Sequence, residues 1–125
     1  MNADTLDDLA PPNVPALAPP GWRLRVHLGP DRHALAAPLV VVGRAPEHAP
    51  GRERILLHSP FREASRSHAL VDVDSRGTIV VTDLYSRNGT IVDGVRLAPG
   101  VVTAIDPGLP VLFGDVTVRL TSERS

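Results

Sequence analysis

Cysteine is absent from the 125-residue chain, which removes disulfides, thiolate catalysis and cysteine-based zinc sites together and fits a reducing cytosol. Lysine is absent too, so all 13 basic side chains are arginine. Arginine suits bidentate anion contacts, but the abundance of alanine and proline beside it points to biased codon usage instead. Aromatic residues make up 3% of the chain, leaving no stacking platform for single strands or RNA. A formal net charge of −1 supplies no global basic field for a duplex, so no nucleic-acid partner is expected. No apolar run approaches the roughly 18 residues of a membrane span, and Met1-Asn2-Ala3-Asp4 lacks the basic start and apolar stretch of a signal peptide. The expectation is a soluble cytoplasmic protein with no membrane partner.

What is present is organised in three parts. Residues 1–20 hold five prolines, three aspartates and no basic side chain. Such a segment buries too little to offset its ordering entropy and is expected to be a disordered, Pro-rich acidic tail. Residues 21–122 form one domain, because 125 residues allow one ordinary core and not two. Residues 123–125 are expected to trail off as a short C-terminal tail. From Trp22 onward, short clusters of Val, Ile and Leu alternate with Gly, Pro, Asp and Ser, and no window sustains a helical period. About eleven short strands in an all-β, two-sheet sandwich follow. The alternation in Ala69-Leu70-Val71-Asp72-Val73-Asp74 and in Val116-Thr117-Val118-Arg119-Leu120 predicts strands with one wet face. Asp74-Ser75-Arg76-Gly77 reads as a tight hairpin and Asp93-Gly94 as a primed turn. The longest stretches without strand character, Gly43–Arg54 and His58–Ser67, are where function is expected.

Three patches carry chemistry. Gly43-Arg44 ends a valine-rich strand, and glycine there would let the chain turn sharply and lift the guanidinium above the sandwich end. Ser65-Arg66-Ser67-His68 precedes another strand and offers a hydroxyl, a cation and an imidazole. Ser86-Arg87-Asn88-Gly89-Thr90 joins two more strands. Asn88-Gly89 alone is an ordinary turn dipeptide, although an exposed Asn amide can also read a peptide main chain through its donor and acceptor. Ser65, His68 and Asp83 can be written as a catalytic triad. No Gly-x-Ser-x-Gly elbow accompanies them, and a histidine three residues after a serine on extended backbone points away from its hydroxyl, so no catalytic residue is assigned. The other histidines, His27, His33, His48 and His58, show no helical pairing and no cysteine partners, so no metal site is expected. No phosphate-cradling glycine motif occurs, and no cofactor is expected.

In this order and over roughly Trp22 to Leu120, the three patches resemble the forkhead-associated (FHA) family, small β-sandwiches that read phosphothreonine in partner proteins. The resemblance implies a non-enzymatic phosphopeptide-binding module in which Arg44, Ser65, Arg66, Arg87 and Asn88 touch the ligand. Gly43, His68, Gly89 and Thr90 then support the site, with His68 bonded to loop backbone. The partners it implies are a protein phosphorylated on threonine and the Ser/Thr protein kinase that writes the mark. Where family members often carry Asn before Gly after the next strand, this chain has Asp93, a conservative turn exchange. Thr5, followed by Asp7 and Asp8, is a candidate phosphosite through which the tail would regulate its own domain. The alternative reading keeps the fold and makes it a phosphate-independent scaffold or oligomerisation domain.

Overall fold

Short clusters of Val, Ile and Leu, cut by Gly, Pro and Asp, become eleven strands and no helix among the residues that the computed structural model describes, 21–124. In chain order they are β1 (Trp22–Gly29), β2 (Arg32–Ala36), β3 (Leu39–Gly43), β4 (Glu53–Leu56), β5 (Ala69–Val73), β6 (Ile79–Asp83), β7 (Thr90–Val92), β8 (Val95–Arg96), β9 (Thr103–Ile105), β10 (Pro110–Phe113) and β11 (Val116–Arg124). One sheet has the order β2-β1-β11-β10-β7-β8 and the other β4-β3-β5-β6-β9. This is the two-sheet all-β sandwich that the sequence pattern predicts. The segment expected to be a tail, 1–20, and Thr5 within it lie outside the described residues.

Between the sheets, alternate residues form the core: Leu24 and Val26 of β1, Val40 and Val42 of β3, Val71 and Val73 of β5, Ile79 and Val81 of β6, Val111 and Phe113 of β10, Val118 and Leu120 of β11. Each such side chain contributes about 1.5–3 kcal/mol by leaving water. Asp93 and Gly94 both have positive φ, 48° and 82°, the backbone of a type I′ turn, as their sequence implies.

Two expectations are corrected. β11 does not stop near Leu120, and the chain does not trail off at 123: Trp22 pairs with Arg124 across the sheet. The extension is polar and is held by side chains, which is why hydrophobic patterning misses it. Arg25 donates to both carboxylate oxygens of Glu123, at 2.6 and 3.2 Å, and Arg124 lies 4.8 Å over the Trp22 ring.

The second correction concerns β5, which has no wet face. All five of its residues are buried, although Leu70 and Asp72 point away from the core. β3 and β4 are parallel, so the 44–52 connection must return along the sheet, and it does so on the outer side. Its last residue, Arg52, donates to Asp72 at 2.5 and 3.2 Å and to the Val40 carbonyl at 3.2 Å. The two side chains are 7% and 2% exposed. Burial raises the Asp72 carboxyl above its ordinary value, against the opposing pull of the Arg52 guanidinium.

The strands run between two unlike ends. Gly43, Ala69, Asp83, Thr90, Phe113 and Val116 share one end, whereas Trp22, Leu39, Val73, Ile79 and Arg124 share the other. All three sequence patches therefore meet at the first end.

Removing one member of the buried ion pair leaves an uncompensated charge on the outer side of β5. Asp72→Ala should lower unfolding free energy by about 3–5 kcal/mol, and adding Arg52→Met should recover much of it. Urea denaturation of both variants checks this; an Asp72→Ala protein within 0.5 kcal/mol of wild type would contradict it.

Candidate functional site

Three loops converge at the Gly43 end: the start of the 44–52 connection, the 57–68 segment between β4 and β5, and the 84–89 segment between β6 and β7. Main-chain bonds zip the first two together. Arg44 N–H donates to the Ser65 carbonyl at 2.9 Å, and Ala45 N–H to the Arg66 carbonyl at 3.2 Å. Gly43 is needed here for proximity and not for a sharp turn, since its φ is not positive. A Cβ on Gly43 would stand 1.8 Å from the Arg66 carbonyl oxygen, a main-chain atom that cannot step aside.

His68 ties the second loop to the third. It is fully buried, its ring meets Phe113 edge-on at 5.6 Å between centroids, and both nitrogens face main chain. Nδ1 accepts the Ser65 N–H at 2.9 Å, which makes Nε2 the protonated nitrogen, donating to the Gly89 carbonyl at 2.9 Å. Burial holds the imidazole below its ordinary pKa, opposed by the Gly89 bond and by the Asp83 carboxylate, 3.9 Å from Nε2. A neutral ring is what the geometry requires, because a protonated Nδ1 cannot accept from Ser65.

The Ser-His-Asp arrangement conceivable from sequence does not form. Ser65 Oγ accepts the Arg87 N–H at 3.1 Å, and the imidazole faces the Ser65 main chain instead of its hydroxyl. Asp83 serves the third loop. It accepts from Ser86 N–H at 3.0 Å, Ser86 Oγ at 2.5 Å and Thr90 Oγ1 at 2.8 Å, and it is 1% exposed. Thr90 is thus bonded to the same carboxylate that holds Ser86.

The expected ligand-facing residues take these places. Arg44 spends Nε on the Ala64 carbonyl at 3.1 Å, and its two terminal nitrogens have no partner among the described residues. Ser65 accepts one bond and keeps its own proton to donate. Arg66, Arg87 and Asn88 are exposed. Asn88 uses Nδ2 to hold the Glu63 carbonyl at 2.8 Å, which fixes its amide plane and leaves Oδ1 open. The loops thus present several guanidinium groups, one hydroxyl donor and one oriented amide, with no carboxylate within 4 Å of these guanidinium groups among the described residues.

Three supporting residues escape sequence reasoning. Asp83 and Ser86 read as strand end and loop, and only their mutual bonds reveal their part. Asp115, from the β10–β11 turn, holds the middle loop by accepting from Ser59 Oγ and from Phe61 N–H at 2.7 Å. Although burial pushes its carboxyl up, these bonds outweigh it and hold it below the usual value. A fourth residue, Tyr85, stands 76% exposed with φ of 55°, a costly conformation for a bulky residue. Its ring rests against Gly100, where a Cβ would meet the phenol oxygen at 2.6 Å.

The depressed His68 pKa has a signed consequence. Unfolded, the ring binds a proton below about pH 6.5; folded, it stays neutral to lower pH. Stability contributed by neutral His68 is therefore complete above about pH 6.5 and lost as pH falls from there through the folded pKa. His68→Ala should cost about 1–3 kcal/mol at pH 7.5 through unpaired loop main chain and flatten the decline between pH 6.5 and 5. Melting curves over that range decide; a variant with wild-type melting temperature at pH 7.5 contradicts the bridging role.

Comparison with known proteins agrees with this architecture. The family model described as FHA domain matches residues 40–114. No curated protein matches the chain in sequence. The fold is similar to the FHA domain of the CT664 protein from Chlamydia trachomatis, with 23% identity over 81% of this chain and 96% of that one, at a TM-score of 0.60. It is similar to Mycobacterium tuberculosis EmbR in complex with a low-affinity phosphopeptide, with 22% identity over 82% of this chain and 25% of that one, at a TM-score of 0.62. The N-terminal FHA domain of Saccharomyces cerevisiae Rad53p, in complex with a phosphothreonine peptide, shares 14% identity over 84% of this chain and 94% of that one, at a TM-score of 0.58. Likeness at such identities carries the fold, and the family model, which spans the chain from β3 to the turn after β10 and includes all three loops at the Gly43 end, carries the rest: the chain belongs to the FHA domain family.

Proposed function

We propose that this FHA domain binds proteins phosphorylated on threonine, as a docking module in Ser/Thr kinase signalling with no catalytic step of its own. A phosphate monoester brings about −1.5 to −2 charges and three strong acceptor oxygens. The observation that carries the reading is the uncommitted donor set at one end of the sandwich: the terminal nitrogens of Arg44, the Ser65 hydroxyl proton, and the exposed Arg66 and Arg87. Asn88, anchored through Glu63, would meet the peptide main chain through its open Oδ1. Phosphopeptide complexes of similarly folded proteins, EmbR and Rad53p, support the same ligand class. The kinase would be either the bound partner or the enzyme that marks a third protein.

Removing one charge-assisted bond to phosphate should cost about 1.5–3 kcal/mol, roughly ten- to a hundredfold in affinity. Arg44→Ala should therefore nearly abolish binding of phosphothreonine peptides, with little change in melting temperature. Calorimetric titration of a phosphothreonine peptide library provides the test. Equal affinity with and without phosphate would leave the fold as a phosphate-independent scaffold.

Thr5, outside the described residues, extends the reading to autoregulation. Seventeen residue-to-residue steps lead from it to Trp22, so it can lie up to about 56–61 Å away along the chain. The eight residues of β1 span about 27 Å, and the tether is long enough for phosphorylated Thr5 to reach the loops of its own domain from the far end of the sandwich. Self-capture at millimolar effective concentration would exclude outside ligands. Phosphorylating the protein and comparing its NMR spectrum with that of Thr5→Ala tests this; unmoved resonances at Arg44, Ser65 and Asn88 would show the tail to be inert.

A further inference from the structure

A trough of about 540 Å³ runs along the outer face of β11, within the range of about 300–1,000 Å³ usual for binding clefts. Thr117, Arg119 and Thr121 form its floor, because they alternate with the core residues Val118 and Leu120. The segment from His27 to Pro30 walls one side and Gly108 the other. Both walls are tied to the floor. His27 Nε2 is bonded to Thr121 Oγ1 at 3.0 Å, and Arg119 Nη1 donates to the Gly108 carbonyl at 2.6 Å, so the shape of the trough is set in advance. Leu28 also borders a second cavity of about 240 Å³, which it shares with Arg32, Leu56, His58 and Val116. Leu56 there is 66% exposed, an apolar side chain left in water. Arg32 has no carboxylate within 4 Å among the described residues.

The chain's own N-terminal segment matches this path in origin, length and charge. It joins β1 through a turn at Gly21, whose φ is 110°, a conformation left to glycine, so the preceding residues leave out of line with the strand. Trp22 faces Arg124, and Val116 lies eight steps back along β11 from there, about 27 Å. Leu9 to Pro20 are twelve residues without a charge, five of them proline. In polyproline form they reach about 37 Å, enough to round the turn and cover the trough. Asp8 and Asp7 come next, beside the second cavity, where Arg32 offers a cation to a segment that holds three aspartates and no basic side chain. We propose that residues 7–17 dock along the outer face of β11, with Val14, Pro15 and Leu17 over the trough and Asp7 and Asp8 on Arg32. The contact needs neither phosphate nor Arg44. Its ion pairs form at the surface, so that part of the docking is modest and salt-sensitive.

Because the chain has no cysteine, Ala10→Cys accepts a single nitroxide label. In NMR spectra of the isotope-labelled, unphosphorylated full chain, the label should suppress the amide signals of Leu28, Arg32, Thr117 and Arg119, and reduction with ascorbate should restore them. Adding Arg32→Gln, or Asp7→Asn together with Asp8→Asn, should lower the ratio of docked to undocked tail about two- to fivefold. Raising NaCl from about 0.05 to 0.5 M should act in the same direction. Thermal melts check that Arg32→Gln keeps the fold. Without any label, Val14→Ser with Leu17→Ser should shift the amide signals of Leu28 and Thr117 and leave unmoved those of Val95 and Thr103, on the edge strands β8 and β9. Suppression confined to Trp22 and Arg124, or spread evenly over the surface, would overturn the docking. Suppression in a mixture of isotope-labelled chains without nitroxide and nitroxide-bearing chains without isotope would overturn it too, by giving the trough to the tail of a second copy. Suppression that is unchanged by Arg32→Gln would overturn the placement of Asp7 and Asp8.

Discussion

The binding end depends on one neutral imidazole. His68 accepts from the main chain of one loop and donates to the main chain of another; both bonds are lost in the other tautomer, and the Ser65 bond is lost in the protonated ring. Burial against Phe113 excludes water, which makes the two bonds strong and makes the charged form costly. Without that bridge, and beyond their strand ends, the second and third loops would be joined only near the surface, through Ser65 Oγ with the Arg87 N–H and through Asn88 with the Glu63 carbonyl. Through it, the donors of one loop and the amide of the next share one frame, which limits the ordering that a ligand has to impose.

Charge is separated by depth. The Arg52–Asp72 pair, closed over on the outer side of β5, is satisfied internally and holds the return of the connection that begins at Arg44. Two carboxylates beside the loops are likewise engaged, Asp83 by Ser86 and Thr90 and Asp115 by Ser59 and Phe61. Arg44, Arg66, Arg87 and Arg96 have no carboxylate within 4 Å among the described residues. A net charge near zero for the chain therefore coexists with a concentrated positive end, an arrangement that composition alone conceals.

What was legible in the sequence followed from period and from short-range chemistry. Alternating Val and Leu marked the strands, Asp93-Gly94 marked a primed turn, and the Gly-Arg, Ser-Arg-x-His and Ser-Arg-Asn-Gly-Thr patches marked the loops that the fold brings together. What remained hidden depends on partners distant along the chain. The wet face expected for β5 vanished because Arg52 reaches across to Asp72. β11 outran its apolar pattern because Glu123 has Arg25 beside it. Gly43 matters for a carbonyl 23 residues away in sequence and not for its own torsion angles. Arg96 looked like any strand residue, since nothing local announces that its guanidinium lies against Gly89.

Trp22 and Arg124 are cross-strand neighbours at the end remote from the loops, with main chains about 5 Å apart. A pair of strand ends so close behaves as a single attachment point, so splicing the stretch from Trp22 to Arg124 into a surface turn of a host protein would stretch neither. The guest would stand with its arginine-rich tip outward, and tension applied through the junction would load β1 and β11 in peeling, leaving the bridge at His68 the last part of the sandwich to feel it.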